Sequence, residues 1–157
     1  MRPAVPRPSA AAARFSPHVT VAALIERDGL YLVVEEYSAG RLVRNQPAGH
    51  LERDETLLEA VVREVREETG YAFTPEALLG VYLWQREDGE TYLRVAFTGQ
   101  VHGEPSGELD PDIVRTAWMD AEQLLAHPQR LRSPLVAQCL EDHRAGKRLP
   151  LDLLTHL

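Results

Sequence analysis

Three glutamates, Glu64, Glu67 and Glu68, have a spacing that places their carboxylates on one face of a helix. Carboxylates this close repel one another, so a solvated surface gains nothing from the cluster. A hard divalent cation reverses the sign of that interaction, because Mg²⁺ prefers oxygen ligands and binds between carboxylates and phosphates. Taken alone, the spacing is more typical of a solvated acidic helix face.

A longer pattern surrounds the cluster. Gly49 is followed after five residues by Glu55, and seven residues later comes the run REVREETGY, which ends at Tyr71. This segment resembles the Nudix box, G-x5-E-x7-R-E-U-x-E-E-x-G-U, in which U is a bulky aliphatic residue. Every fixed position matches, and the one departure is Tyr71 at the final apolar position. The extended match favours a metal site over a solvated acidic face.

The resemblance implies an α/β fold in which a mixed β-sheet is sandwiched between α-helices, with the box forming a loop, a helix and a loop. It implies that Glu67 and Glu68 are principal ligands of Mg²⁺, with Mn²⁺ as a substitute. Glu64 would be a further ligand or a base that activates water, and Glu67 would share in catalysis as well as in metal binding. Arg63 is expected to orient a carboxylate rather than to contact substrate.

The resemblance also implies roles for other residues in and next to the box. Ala48 stands where many members have glycine, and it would bind metal through its backbone carbonyl. Gly49, Glu55 and Gly70 are expected to be structural, with Glu55 fixing the loop.

Some family members take a base from a distant loop. The candidates here are Glu108, Asp110 and Asp112, and a solvated acidic loop is the alternative. In a phosphoanhydride, metal ions neutralise the phosphates and lower the pKa of bound water, and a carboxylate base helps to deliver that water.

Segments outside the box resemble the NudJ-type phosphatases from about Ser16 to Leu153: PHVTVAALIERDGLYLVVEE, NQPAGHLE and LRSPL. That branch is associated with hydroxymethylpyrimidine and thiamine diphosphates and with nucleoside di- and triphosphates, and it releases orthophosphate. The alternatives are a nucleotide-sugar or ADP-ribose pyrophosphatase of another Nudix branch and a non-catalytic ligand-sensing module. ADP-ribose-cleaving members tend to have a proline beyond the box that is missing between Pro75 and Pro105, and sensing modules usually have a broken box.

A substrate that carries a ring needs an apolar, partly aromatic binding surface. Tyr82 and Trp84 lie two apart on a predicted strand and therefore point the same way, as do Tyr92 and Arg94 on the next strand. One pair is expected to stack a ring, with Arg94 meeting phosphate. Packing of these aromatics in the core or on the sheet face is the alternative.

The elements that must position these residues follow from periodicity and turn signals. Residues 18–26 and 30–37 are predicted to form a hairpin around Asp28-Gly29, and Asp54 is predicted to cap a helix that ends at Gly70. The remaining predicted elements are strands at 42–46, 78–85, 91–101 and 113–119, loops at 48–54 and 102–112, and helices at 55–69, 120–126 and 133–145.

Composition limits the class of protein. The 157 residues are expected to form a flexible tail at 1–15 and one domain at 16–157, monomeric or homodimeric. The net charge of −7 argues against nucleic-acid binding, and no apolar run is long enough for a membrane span. The single cysteine, Cys139, excludes an internal disulfide and fits a cytoplasmic protein. The partner that the resemblance implies is a small diphosphate substrate.

Overall fold

The computed structural model describes residues 14–157. The predicted tail at 1–15 lies outside this range except for Arg14 and Phe15, which belong to no helix or strand. The strands are β1 (His18–Arg27), β2 (Leu30–Ser38), β3 (Arg41–Asn45), β4 (Ala48–His50), β5 (Ala72–Gln85), β6 (Thr91–His102) and β7 (Ile113–Met119). The α-helices are α1 (Leu57–Thr69), α2 (Ala121–Leu125) and α3 (Pro134–Arg144), and short 3-10 helices lie at Pro128–Arg130 and Leu151–Leu153. No helix within residues 14–157 is long and apolar enough to cross a membrane.

The strands form one seven-stranded mixed sheet, as predicted. In one half, β1 pairs in parallel with β6 and antiparallel with β4, and β5 continues the sheet beyond β6. In the other half, β2 pairs antiparallel with both β3 and β7. The two halves meet where the end of β1 pairs with the start of β2.

Strand β1 shows how the sheet is sandwiched. Because successive side chains point to opposite faces, Val21, Ala23 and Ile25 pack in the core that contains the buried valines of α1. Ala22 and Leu24 pack in the opposite core, which α2 and α3 cover and which includes the fully buried Cys139. The predicted α/β/α arrangement is therefore confirmed, and the continuous apolar run of β1 reflects burial on both faces.

The predicted hairpin is only partly correct. Asp28 and Gly29 do form the turn, and the flanking pairs are Glu26 with Tyr31 and Arg27 with Leu30. Beyond these two pairs the strands separate, because β1 takes its partners from β4 and β6 and β2 takes its partners from β3 and β7. Local turn chemistry identified the turn but carried no information on these distant partners.

The box helix begins later than predicted. Its N-cap is Thr56 and not Asp54, which has a positive φ of 67°. The Thr56 hydroxyl accepts the Glu59 amide at 3.1 Å, and the Glu59 carboxylate accepts the Thr56 amide at 2.7 Å. This reciprocal capping box satisfies two backbone donors that the first turn would otherwise leave without partners. Gly70 ends the helix as predicted, in the left-handed conformation with φ 77°.

Two strands differ from their predictions for reasons of pairing. Residues 48–50 were predicted as loop, but they form β4, since Ala48, Gly49 and His50 pair with β1. Strand β5 begins at Ala72 instead of residue 78, and register shifts at Pro75 and Leu78 let this longer strand follow β6.

The capping box gives a stability prediction. Thr56→Ala should lower the free energy of unfolding by about 1 kcal/mol, because the Glu59 amide loses its acceptor. Chemical denaturation measures this, with Thr155→Ala as the control, since Thr155 is exposed and lies outside the helices. Equal stability losses in the two variants would show that α1 does not depend on this cap.

Candidate active site

Arg63, at the middle of α1, holds the box loop against the helix. Its Nη2 and Nε donate to the two carboxylate oxygens of Glu55 at 2.7 and 2.9 Å, a bidentate pair. Its Nη2 also donates to the His50 carbonyl at 3.0 Å, and Glu55 accepts the Glu52 amide at 2.7 Å. Glu55 therefore joins the loop backbone to the helix, and the ion pair lowers the pKa of its carboxyl.

Glu64 is buried where the helix meets β4. It accepts a hydrogen bond from Arg63 Nη1 at 2.7 Å, and it is 8% exposed. A Cβ built on Gly49 would lie 2.1 Å from the Glu64 carboxylate, so any larger residue at position 49 would displace that group. Burial raises the pKa of Glu64, and the Arg63 hydrogen bond opposes this effect.

Glu68 is buried one turn further along α1, with 7% exposure. Its Oε2 accepts the Ala48 amide at 2.9 Å. Within residues 14–157, no lysine, arginine or histidine lies within ion-pair distance of Glu68. Burial raises the pKa of this carboxyl to about 9, and the nearby carboxylates add to the shift. A carboxyl group placed in this way is either protonated or paired with a cation from outside the chain.

Glu67 has a different environment, because its side chain is 46% exposed and its contact with Arg63 is longer, at 3.3 Å. Within residues 14–157, no three carboxylate, histidine or cysteine side chains already converge as a metal cluster. Arg63 draws Glu64 and Glu67 towards itself, while Glu68 turns to the Ala48 amide. The donor set nevertheless fits a hard cation, since it consists of carboxylate oxygens, two of them buried.

The loop before β7 packs against the end of α1. The Asp110 amide donates to the Glu67 carbonyl at 2.8 Å, and the Ser106 amide donates to the Gly70 carbonyl at 3.0 Å. Asp110 thereby comes close enough to raise the pKa of Glu64 and Glu68, after the larger effect of burial. Its side chain also accepts the Asp112 amide at 3.0 Å.

The candidates for a distant base therefore occupy different positions. Asp112 lines the cavity described next, whereas Asp110 supports the loop beside α1. Glu108 is exposed and does not line that cavity.

A cavity of about 290 Å³ lies beside β4. It brings together five of the predicted site residues, Ala48, Gly49, Trp84, Arg94 and Asp112. Its other lining residues are Thr20, Glu36, Asn45, His50, Tyr92, Arg132, Ser133 and Leu135.

Aromatic rings form one wall of the cavity. The rings of Trp84 and Tyr92 are 5.6 Å apart, and His18 stacks on Tyr92 at 4.7 Å. Tyr82, predicted as a substrate residue, does not line the cavity. It packs against the α3-side core, and its hydroxyl donates to Asp142 at 2.7 Å. Trp84 thus reaches the cavity, while α3 covers the position of Tyr82.

Three buried polar side-chain atoms of residues 14–157 have no hydrogen-bond partner: Thr20 Oγ1, Asn45 Oδ1 and Arg94 Nε. All three belong to residues that line this cavity. Arg94 is 5% exposed, and its Nη1 donates to Gln46 Oε1 at 3.1 Å. Because buried polar groups are nearly always paired, these three atoms are available to water or to a polar ligand in the cavity.

Several residues that line the cavity were not predicted from the sequence. Thr20 and Asn45 are ordinary strand residues there, and only their burial beside the cavity distinguishes them. Arg132 and Ser133 belong to the segment LRSPL, which the sequence matched to the NudJ-type phosphatases without a chemical role. The arginine and the serine before a helix were the signal that could have identified them. His50, which received no role, lines the cavity, and burial and then His18 lower the pKa of its imidazole.

Comparison with known proteins agrees with this architecture. The NUDIX domain family matches residues 16–138. Phosphatase NudJ of Escherichia coli K12 is 42% identical over 141 residues, covering 89% of this chain and 92% of that protein. A NUDIX hydrolase from Nitrosomonas europaea is 50% identical, covers 90% of this chain and 98% of its own, and has a TM-score of 0.87. The MutT NUDIX hydrolase from Burkholderia pseudomallei is 27% identical and has a TM-score of 0.70, and the match covers 82% of this chain and 98% of that protein.

The family match spans the box, both halves of the sheet and the first part of α3. The conclusion drawn from the box spacing is confirmed by this match and by the extended identity to a phosphatase. The chain belongs to the Nudix hydrolase family, enzymes that act on acid anhydrides in phosphorus-containing compounds.

Proposed function

We propose that this Nudix hydrolase is a magnesium-dependent phosphatase that removes the terminal phosphate of small diphosphates carrying a heteroaromatic ring. Thiamine-type and hydroxymethylpyrimidine diphosphates and nucleoside di- and triphosphates are the proposed substrates, and orthophosphate is the product. The observation that carries the proposal is a pair of buried glutamates on α1, Glu64 and Glu68, beside a cavity with an aromatic wall and a buried arginine. The similarity to phosphatase NudJ supports the same branch.

The proposed metal ligands are the carboxylates of Glu64, Glu67 and Glu68 and the backbone carbonyl of Ala48. Mg²⁺, or Mn²⁺ in its place, would neutralise phosphate charge and lower the pKa of bound water when present. The fit rests on Glu68, a buried carboxylate with a single amide donor and no cationic partner among residues 14–157. Burial of this kind favours either protonation or a bound cation.

The remaining chemistry belongs to the side chains of the chain itself. Arg63 fixes the positions of Glu55 and Glu64: its bidentate contact restricts rotation of the Glu55 carboxylate, and its Nη1 holds Glu64 through one hydrogen bond. Asp112 lines the cavity and is our candidate for the base that accepts a proton from the attacking water. Trp84 and Tyr92 offer ring faces on which flat heterocycles can stack.

Metal dependence gives the first test of this function. Glu68→Gln should lower kcat by about 100-fold or more, because the variant loses a charged ligand that positions metal and water. Phosphate release from ADP with Mg²⁺ measures this, and wild-type release should stop in excess EDTA. Glu141→Gln is the matched control, since Glu141 lies on the exposed face of α3. Full wild-type turnover in EDTA, or normal turnover of Glu68→Gln, would contradict the proposal.

Ring recognition gives the second test. Trp84→Ala should raise KM about ten-fold for ring-bearing diphosphates and change kcat less, because stacking contributes to binding before and during the reaction alike. Leu83→Ala is the control, since Leu83 lies next to Trp84 but is 62% exposed on the opposite face of β5.

Steady-state kinetics with thiamine diphosphate, hydroxymethylpyrimidine diphosphate, ADP and ADP-ribose checks both the stacking residue and the substrate branch. Unchanged KM values in Trp84→Ala would place the stacking residue elsewhere. A kcat/KM for ADP-ribose that is about ten-fold or more above the others would assign the enzyme to another Nudix branch. The assignment to the Nudix family would be unaffected.

A further inference from the structure

The buried cation in the cavity has no acidic partner. Arg94 is 5% exposed, and no aspartate or glutamate of residues 14–157 lies within ion-pair distance of its guanidinium. Gln46 accepts one hydrogen bond at 3.1 Å, while Nε has no partner. Arginine keeps its proton even when buried, so the cavity holds a guanidinium charge with no carboxylate in direct contact, although Glu36 and Asp112 also line the cavity.

A second cation and a helix end lie on the same cavity. Arg132 lines it, and its Nε contacts Glu36 at 3.2 Å, which leaves the rest of the guanidinium free to donate. Ser133 lines it too and is the N-cap of α3, yet its side chain makes no capping hydrogen bond. Pro134 has no amide hydrogen and the Val136 amide donates to the Ser133 carbonyl at 3.2 Å, so the first turn of this 11-residue helix offers the Leu135 amide and the positive end of the helix dipole.

These features belong to the LRSPL segment, which the Nudix box does not explain. We propose that Arg94, Arg132 and the N-terminus of α3 form a subsite for the terminal phosphoryl group of the substrate. The identity of that substrate rests on the function proposed above. A terminal phosphate carries close to two negative charges at neutral pH, whereas each phosphate inside a dinucleotide-type diphosphate carries one. Two guanidinium groups, of which Arg132 is also paired with Glu36, and a helix N-terminus match the more highly charged group.

The subsite explains how this site would distinguish two classes of diphosphate. ADP ends in a free phosphate, whereas both phosphates of ADP-ribose are esterified and neither is terminal. Loss of the subsite should therefore weaken the binding of ADP and leave the binding of ADP-ribose almost unchanged.

The direct test is calorimetric titration of inorganic phosphate into the full chain in EDTA, which separates this subsite from any metal. Arg132→Met is the test variant, because the Arg132 side chain is partly exposed and its replacement leaves the buried Arg94 in place. Arg130→Met is the matched control, since Arg130 is exposed nearby and does not line the cavity. We expect wild type and Arg130→Met to bind phosphate alike and Arg132→Met to bind about ten-fold or more weakly, the effect of losing a charge-assisted hydrogen bond.

A kinetic comparison with Mg²⁺ gives a second readout. Arg132→Met should raise KM for ADP about ten-fold and KM for ADP-ribose less than about three-fold. The proposal is overturned if wild type binds no phosphate in EDTA, if Arg130→Met and Arg132→Met lose affinity equally, or if both KM values rise together. A wild-type enzyme that binds phosphate but hydrolyses none of these compounds would refute the proposed function and leave the subsite intact.

Discussion

The site depends on one costly arrangement, the burial of two carboxylates on the same face of a helix. Moving an ionised carboxylate out of water costs several kcal/mol unless it is paired or neutralised. Glu64 has Arg63 as a partner, but Glu68 has one backbone amide. The pKa of Glu68 rises to about 9 for this reason. A group kept at 7% exposure is therefore either protonated or paired with a cation from outside the chain.

The rest of the architecture serves to hold that face in place. The core between α1 and the sheet, with Val61 and Val65 fully buried, fixes the helix against β1. Gly49 allows β4 to pass so close to Glu64 that a methyl group would not fit. The loop before β7 joins the C-terminal end of the helix through Asp110. Glu64 and Glu68 are thus enclosed by three separate stretches of chain, and packing limits the contact of Glu68 with water.

The sequence was most informative where the structure is local. The box spacing predicted the helix, its C-terminal glycine and the glutamates on one face, because all of these depend on residues a few positions apart. The start of the helix was predicted too early, since Glu55 is held by Arg63 and the Thr56–Glu59 capping box sets the first turn. Neither contact could be ranked against an Asp54 cap from residue types alone.

Features that depend on contacts between distant parts of the chain could not be predicted from the sequence. The parallel pairing of β1 with β6 joins residues about seventy positions apart, and no local pattern specifies it. The cavity combines Thr20, Asn45 and Arg94 from three regions of the chain, and their unpaired atoms become visible only in three dimensions. Tyr82 and Trp84 share a face of β5, as periodicity predicts, but the position of α3 decides which of them reaches the cavity.

The central claim is that the acidic face of α1 is stabilised by a cation bound through Glu68. Its most direct test is the free energy of unfolding of wild type and Glu68→Gln at pH 7.5, by chemical denaturation in EDTA and then in Mg²⁺. In EDTA the variant should be more stable than wild type, on the order of 1–3 kcal/mol, because it removes a buried acid that the unfolded chain ionises freely. Saturating Mg²⁺ should stabilise wild type by about 2 kcal/mol or more and leave the variant unchanged. A variant that is less stable in EDTA and gains as much from Mg²⁺ as wild type would contradict the account.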